Sequence, residues 1–186
     1  HIATYTPEDP DNYKVVNNVK IMVTVGKTTP EYEVPRGLTA TYGDTLRDIT
    51  LIESENGTYS FVDDLTTSVG NAGTNTFKVK FTPNDTTNYR EVIFDVEIVV
   101  SKANPEYDDI ETLTAAYKDR LNNVSLPTAT NGKFVFMDEL TKEVGNAGLN
   151  TFMVKFIPND TDNYNIIENI EVTINVAKAN PTYEIP

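Results

Sequence analysis

Acidic side chains recur at one place in this chain. Glu8-Asp9-Pro10-Asp11, Asn84-Asp85 and Asn159-Asp160-Thr161-Asp162 fall in equivalent stretches, and Asp108, Asp109 and Glu111 follow a Lys-Ala-Asn-Pro segment. Clustered carboxylate and amide oxygens suit a hard cation, so Asp85, Asp160, Asp162, Asp108 and Asp109 raise the possibility of calcium stiffening a junction. The competing reading is a set of turns in which Asn and Asp bond their own backbone on a solvated acidic surface. Thr87 stands where Asp162 stands in the later copy, and no EF-hand spacing occurs.

Catalytic chemistry has less to draw on. The one histidine is His1 and there is no cysteine, which removes Ser-His and Cys-His nucleophiles and thiolate metal sites. Asp63-Asp64 and Asp138-Glu139 are paired carboxylates of the kind a glycosidase uses. They repeat at equivalent positions near a strand end, so no catalytic residue is assigned and the chain is expected not to be an enzyme. A Lys–Asn isopeptide bond between Lys102 and Asn71 or Asn75 is conceivable, but no buried acid is identifiable to promote it. Tyr32, Tyr107 and Tyr183 suit stacking on sugar rings, although a Tyr after Pro near a linker more often packs on an adjoining domain. Sequons at Asn56, Asn84, Asn123 and Asn159 matter only in a eukaryotic secretory pathway.

With 28 acidic against 15 basic side chains, the net charge of −13 supplies no phosphate-neutralising face, so nucleic acid is not an expected partner. An anionic membrane surface is disfavoured for the same reason. No apolar run approaches the roughly 20 residues that span a bilayer, so no membrane insertion is expected in this fragment. Ten Tyr and eight Phe in a chain that is 39% hydrophobic point to a folded core.

What positions these side chains is an internal repeat. SVGNAGTNTFKVKFTPNDTTNY at 68–89 and EVGNAGLNTFMVKFIPNDTDNY at 143–164 agree at 17 of 22 positions, offset by 75 residues. Lys-x-x-Pro-x-Tyr recurs at Lys27–Tyr32, Lys102–Tyr107 and Lys178–Tyr183, and Leu38-Thr39-Ala40-Thr41-Tyr42 matches Leu113-Thr114-Ala115-Ala116-Tyr117. The expected organisation is a C-terminal hairpin of an upstream repeat at 1–27, repeats at 28–101 and 102–177, and the start of another at 178–186. His1 then falls inside a repeat, as in a piece of a longer array.

Within each repeat the period is two, which marks half-buried strands. Phe77, Val79 and Phe81 alternate with Lys78 and Lys80, as Phe152, Val154 and Phe156 alternate with Met153 and Lys155. Phe94, Val96, Ile98 and Val100 match Ile170, Val172, Ile174 and Val176, and also Val19, Ile21, Val23 and Val25. The Tyr-to-Lys spacing runs 14, 13 and 14 in successive copies. A one-residue change in mid-strand flips every later side chain, so the extra residue belongs in a turn or bulge ahead of the alternating face. Six or seven short strands per 75 residues suggest a two-sheet sandwich, with a small closed barrel as the alternative. The 1–27 hairpin lacks its companions and is expected to pack on a neighbouring unit or a second chain.

Lys-Ala-Asn-Pro-x-Tyr, Leu-Thr-Ala-Thr-Tyr-Gly-Asp-Thr-Leu, Val-Gly-Asn-Ala-Gly-x-Asn-Thr-Phe and Thr-Pro-Asn-Asp-Thr-x-Asn-Tyr resemble the bacterial Ig-like (MBG/YGX-type) repeats of cell-surface and secreted proteins. The likeness covers essentially the whole chain. It implies an all-β fold of tandem immunoglobulin-like β-sandwich repeats, an extracellular place, and service as a stalk, spacer or adhesin module whose partners are adjacent repeats. Host glycan or protein is the alternative partner, and no cofactor is implied. The later copy reads Tyr117-Lys118-Asp119-Arg120-Leu121 and loses Gly43, which puts the shared turn geometry in question.

Overall fold

The computed structural model describes residues 1–181. Strand takes 44% of the chain and helix 3%, so the protein is all-β, with curled sheets. β1 (Ile2–Tyr5) and β2 (Val16–Lys20) form an antiparallel hairpin. The 28–101 segment builds one four-stranded sheet from β3 (Leu38–Thr41), β4 (Gly57–Phe61), β5 (Gly73–Pro83) and β6 (Val92–Ser101), in the order β3-β6-β5-β4. The 102–177 segment builds another from β7 (Leu113–Ala116), β8 (Gly132–Phe136), β9 (Gly148–Pro158) and β10 (Ile167–Ala177), in the order β7-β10-β9-β8. In each sheet the two edge strands differ: β3 and β7 run parallel to their neighbours, and every other pairing is antiparallel.

Alternation decides which face closes. Val79 and Phe81 on β5, Val154 and Phe156 on β9, and Val96, Ile98, Val100, Val172, Ile174 and Val176 on the partner strands are buried. Short 3-10 turns at Leu46–Asp48 and Leu121–Asn123 lay Leu46 and Leu121 across these faces, and Val69 and Val144 complete the cover. Two separate hydrophobic clusters result, one per segment. Burying each such side chain contributes about 1.5–3 kcal/mol. Fewer strands form than the six or seven expected. The covering stretches form single bridges and no regular ladder, Thr45 with Ser68 and Arg120 with Glu143. Their amides are divided between the 3-10 turn, as when Ile49 N–H donates to Leu46 O, and irregular bonds to the facing loop, as from Leu46 N–H to Thr67 O and Val69 N–H to Asp44 O.

The spacing anomaly is a β-bulge. From Ile167 to Ile170 β10 advances three residues while β9 advances two, from Phe156 to Val154. β2 does the same between Val16 and Val19 against Tyr5 and Ala3. Asn169 and Asn18 occupy the extra place in the left-handed region, at φ 60° and 62°. The 28–101 segment has no bulge here, since Phe94 pairs with Val79 and Val92 with Phe81. Asn is among the few residues that tolerate such a φ.

The turn in question after Tyr42 is retained. Gly43 sits at φ 100° and Lys118 at 72°, and in both copies the Asp that follows receives the same amide, Thr41 N–H to Asp44 Oδ2 and Ala116 N–H to Asp119 Oδ2, at 2.7 Å. Among the described residues, the β1–β2 hairpin keeps its apolar side chains exposed rather than packed on an adjoining segment. Ile21 is 47% exposed where the equivalent Val96 is 2% exposed, because no β3-like strand or Leu46-like turn lies against it.

Candidate functional site

The recurring acidic loop folds into a clasp. In Asp-x-x-Asn the carboxylate turns back on its own backbone, as Asx turns do. Asp85 Oδ1 accepts the Thr87 and Asn88 amides at 3.1 Å, and Oδ2 accepts Asn88 Nδ2 at 2.7 Å. Asp160 Oδ1 accepts Asp162 and Asn163 amides at 3.2 and 3.1 Å, and Oδ2 accepts Asn163 Nδ2 at 2.8 Å. Asp9 holds Asn12 in the same way. In all three the Asn side-chain amide, followed by backbone amides, holds the carboxyl below the usual range, since donors favour the charged form.

One clasp is wedged between the two sheets. Ala72 N–H, in the turn before β5, donates to Asn163 Oδ1 at 2.8 Å, and Asn163 Nδ2 also reaches Asn71 Oδ1 at 3.4 Å. Asn163 O accepts the Ala103 amide at 3.0 Å. Asn163 is thereby buried to 7% exposure, the one buried polar residue among those described, and its side-chain groups are all engaged. Beside it the rings of Tyr42 and Tyr164 meet edge to face, centroids 5.3 Å apart. Tyr42, Pro105, Pro158, Asp160 and Tyr164 line a crevice of about 440 Å³ there. The connection is short. β6 ends at Ser101 and Ala103 is already bridged to Tyr164, which leaves Lys102 between them with its amine donating to Thr161 O.

The other predicted positions fall into place around this. The structure brings no three of Asp85, Asp160, Asp162, Asp108 and Asp109 together, and no group of three His, Cys, Asp or Glu able to hold a metal occurs among the described residues. Asp64 accepts from the Thr66 hydroxyl and amide in a turn, and Asp138 pairs with Lys142 at 2.7 Å on the surface. Lys102 faces Thr161 rather than an asparagine side chain, while Asn75 Nδ2 donates to Asn71 O. Asn56, Asn84, Asn123 and Asn159 are exposed in turns. Tyr32 stacks on Phe81 and Phe94, and Tyr107 on Phe156, so each packs on the segment it opens rather than on an adjoining one. Tyr183 lies outside the described residues.

No protein-family model matches the chain, and no curated protein matches it either. The junction residues were in plain view in the sequence as part of the repeated blocks. Asn71, Ala72, Asn163 and Tyr164 are unchanged in the paired copy, where a turn alone requires only the glycines and the Asp. That surplus identity was the available signal.

Proposed function

We propose that the chain is a non-catalytic part of a stalk or spacer at a cell surface or in a secreted protein. In this reading it is built of tandem immunoglobulin-like β-sandwich repeats at 28–101 and 102–177. The hairpin at 1–27 closes an upstream repeat and 178–186 opens another. The observation that carries the proposal is the junction, in which a buried asparagine and a tyrosine pair fasten one repeat to the next across a single linker residue, Lys102. A spacer must hold a fixed angle between units, and side-chain bonds on both sides of a one-residue linker supply that, whereas domains joined by weak contacts swing. The identical strand order of the two sheets and the likeness to bacterial Ig-like repeats support it, and the acidic surface keeps such an array soluble and self-repelling.

Because the chain has no cysteine, spin labels at Thr87→Cys and Leu149→Cys report the inter-repeat distance without background. A narrow distance distribution is expected; a broad one, as from tethered beads, defeats the spacer reading.

The second reading, a glycan- or protein-binding adhesion module, draws on a groove of about 660 Å³ in the first repeat. It runs along the whole of β4, an edge strand, and is lined by Leu46, Ile49, Leu51, Tyr59 and Phe61. The matching Val124, Phe134 and Phe136 of the second repeat are buried. Free sheet edges beside apolar pockets accept added strands. Saturable binding to a glycan array or an extended peptide, lost in Phe61→Asp, supports this reading, and its absence ends it.

A further inference from the structure

The groove along β4 lies away from the surfaces that join one segment to the next. The internal junction uses Tyr42, Asn71 and Ala72 on one side and Ala103, Asn163 and Tyr164 on the other. Upstream, the counterpart Tyr89 lines a separate crevice with Pro30, Asn84 and Asp85. None of these residues lines the β4 groove, so repeats docked in the same manner on either side leave it uncovered. Its opening has a local cause. In the 102–177 segment Thr128 bridges Lys133, which lays the covering stretch along β8. In the 28–101 segment the matching stretch turns back at a Ser54–Gly57 bridge, and the groove lies between it and β4.

The backbone there has bonds to give. Val62 N–H donates to Lys78 O and Asn84 N–H to Asn56 O, so the even-numbered residues of this stretch face β5. By the alternation of antiparallel ladders, Tyr59 and Phe61 turn their N–H and C=O groups to the open edge. Their side chains sit on the groove side with Leu46, Ile49 and Leu51.

Charge selects the occupant. Glu53 and Asp63 line the groove at the two ends of β4, Glu53 next to the Ser54–Gly57 bridge and Asp63 two residues beyond Phe61. Both are exposed, and neither is in a salt bridge among the described residues. Arg47, the one base lining the groove, is already engaged. After the Thr45 and Thr66 donors, it helps to hold the Asp48 and Asp64 carboxyls below the usual range.

We propose that the β4 edge takes up an extended cationic peptide as an antiparallel fifth strand, with apolar side chains alternating into the groove and a basic residue at each end. Antiparallel pairing is the more stable arrangement. Six residues of strand from Gly57 to Asp63 span about 20 Å, so the two bases stand about six residues apart. The inference rests on the adhesion reading and names its ligand class. In the peptide Lys-Thr-Val-Thr-Val-Thr-Lys the valines then lie opposite Phe61 and Tyr59, their amides directed at β4, and the lysines lie beside Asp63 and Glu53.

Fluorescence anisotropy of that peptide, labelled and titrated with the whole chain, tests the inference. Saturable binding of one peptide per chain is expected, about tenfold weaker when both lysines are replaced by glutamate. Methylating the two valine amides should abolish binding, and methylating the threonine amides should leave it. The double variant Glu53→Gln with Asp63→Asn, which alters only exposed side chains, should lose the preference for lysine over glutamate ends. Equal affinity for the two peptides overturns the inference, and so does binding that survives methylated valines. A glycan or neutral peptide that binds without preference for base, and is lost in Phe61→Asp, also overturns it but leaves the adhesion reading standing. If nothing binds, both fall.

Discussion

The Ala72 amide donates to the Asn163 side chain across 91 residues of sequence, at 2.8 Å. Replacing Asn163 by Ala leaves the part-buried Ala72 amide without its partner, and Asp160 loses the Asn163 Nδ2 donor while keeping its two backbone amides. The cost of an orphaned amide is about 1–3 kcal/mol. Asn88→Ala removes an equivalent but exposed side chain and should cost well under half as much. Chemical denaturation gives both values, and amide exchange at Ala72 should accelerate in Asn163→Ala alone. Equal losses in the two variants would show that the bond between segments contributes nothing beyond its own turn.

Acid should loosen the chain from its clasps. Asp9, Asp48, Asp64, Asp85 and Asp160 are all held below the ordinary carboxylate range in the folded state, because hydroxyl, amide and backbone donors hold the ion. The unfolded chain then binds more protons as pH drops, so stability is present above an unfolded Asp value of about 3.9 and is lost below it. Urea midpoints should be level between pH 7 and about 5 and fall below about 4. Asp85→Asn should make that fall shallower. A midpoint that rises on acidification would contradict the sign.

Calcium should not matter to the melting temperature. The Asp85 and Asp160 oxygens that sequence spacing offers to a cation are each occupied by donors from their own loop. A cation must displace those bonds and find further ligands nearby. Melting in excess EDTA and in millimolar calcium should give the same midpoint, and a shift of several degrees restores the metal-site reading.

The sequence made legible what a period of two and an internal alignment can encode. The inward ladders of Val79, Phe81, Val154 and Phe156 are buried as their alternation requires, and the extra residue in two copies lies in a bulge before the inward face. The cover was less legible. Around Leu46 and Leu121 the chain makes 3-10 turns whose first amides bond to a facing loop, and no alternation distinguishes that from a short strand. The partners of Tyr32 and Asn163 were hidden for another reason. Contacts at long separation depend on how one sheet is set against the next, and a single sequence carries no pairwise record of that. Tyr32 therefore turned out to pack on its own sheet, while Tyr42 and Tyr164 make the contact across the junction.

The turn after β3 sets two effects against each other. At Gly43 a Cβ would meet nothing within 4 Å, so Gly43→Ala costs only the left-handed backbone, about 1 kcal/mol. Lys118 already bears that strain at φ 72°, with its amine 5.8 Å from the Tyr117 ring centroid. Lys118→Gly relieves the strain but loses the cation–π contact and adds freedom to the unfolded chain, each worth about 0.5–1 kcal/mol. Denaturation should therefore show a clear loss for Gly43→Ala and a change within about 0.5 kcal/mol for Lys118→Gly.

Deleting one residue separates a bulge from a strand. Removing Asn169 converts the β9–β10 register to the one β5 and β6 already use, in which Phe94 faces Val79 and Val92 faces Phe81. Val172, Ile174 and Val176 keep their inward face, a left-handed residue disappears, and the identified loss is the 3.4 Å contact from the Asn169 amide to Met137 Sδ. The deletion should shift the melting temperature by only a few degrees. Removing Thr173 instead turns Ile174 and Val176 toward solvent and puts Asn175 in the core, because side-chain direction alternates with every residue. Exposing two such side chains costs about 3–6 kcal/mol before the buried Asn is counted, comparable to the whole stability of a unit this small. Near-ultraviolet circular dichroism and a cooperative melt should survive the first deletion and not the second. If the two deletions cost the same, Asn169 is an ordinary strand residue and the bulge is not where the copies absorb their difference in length.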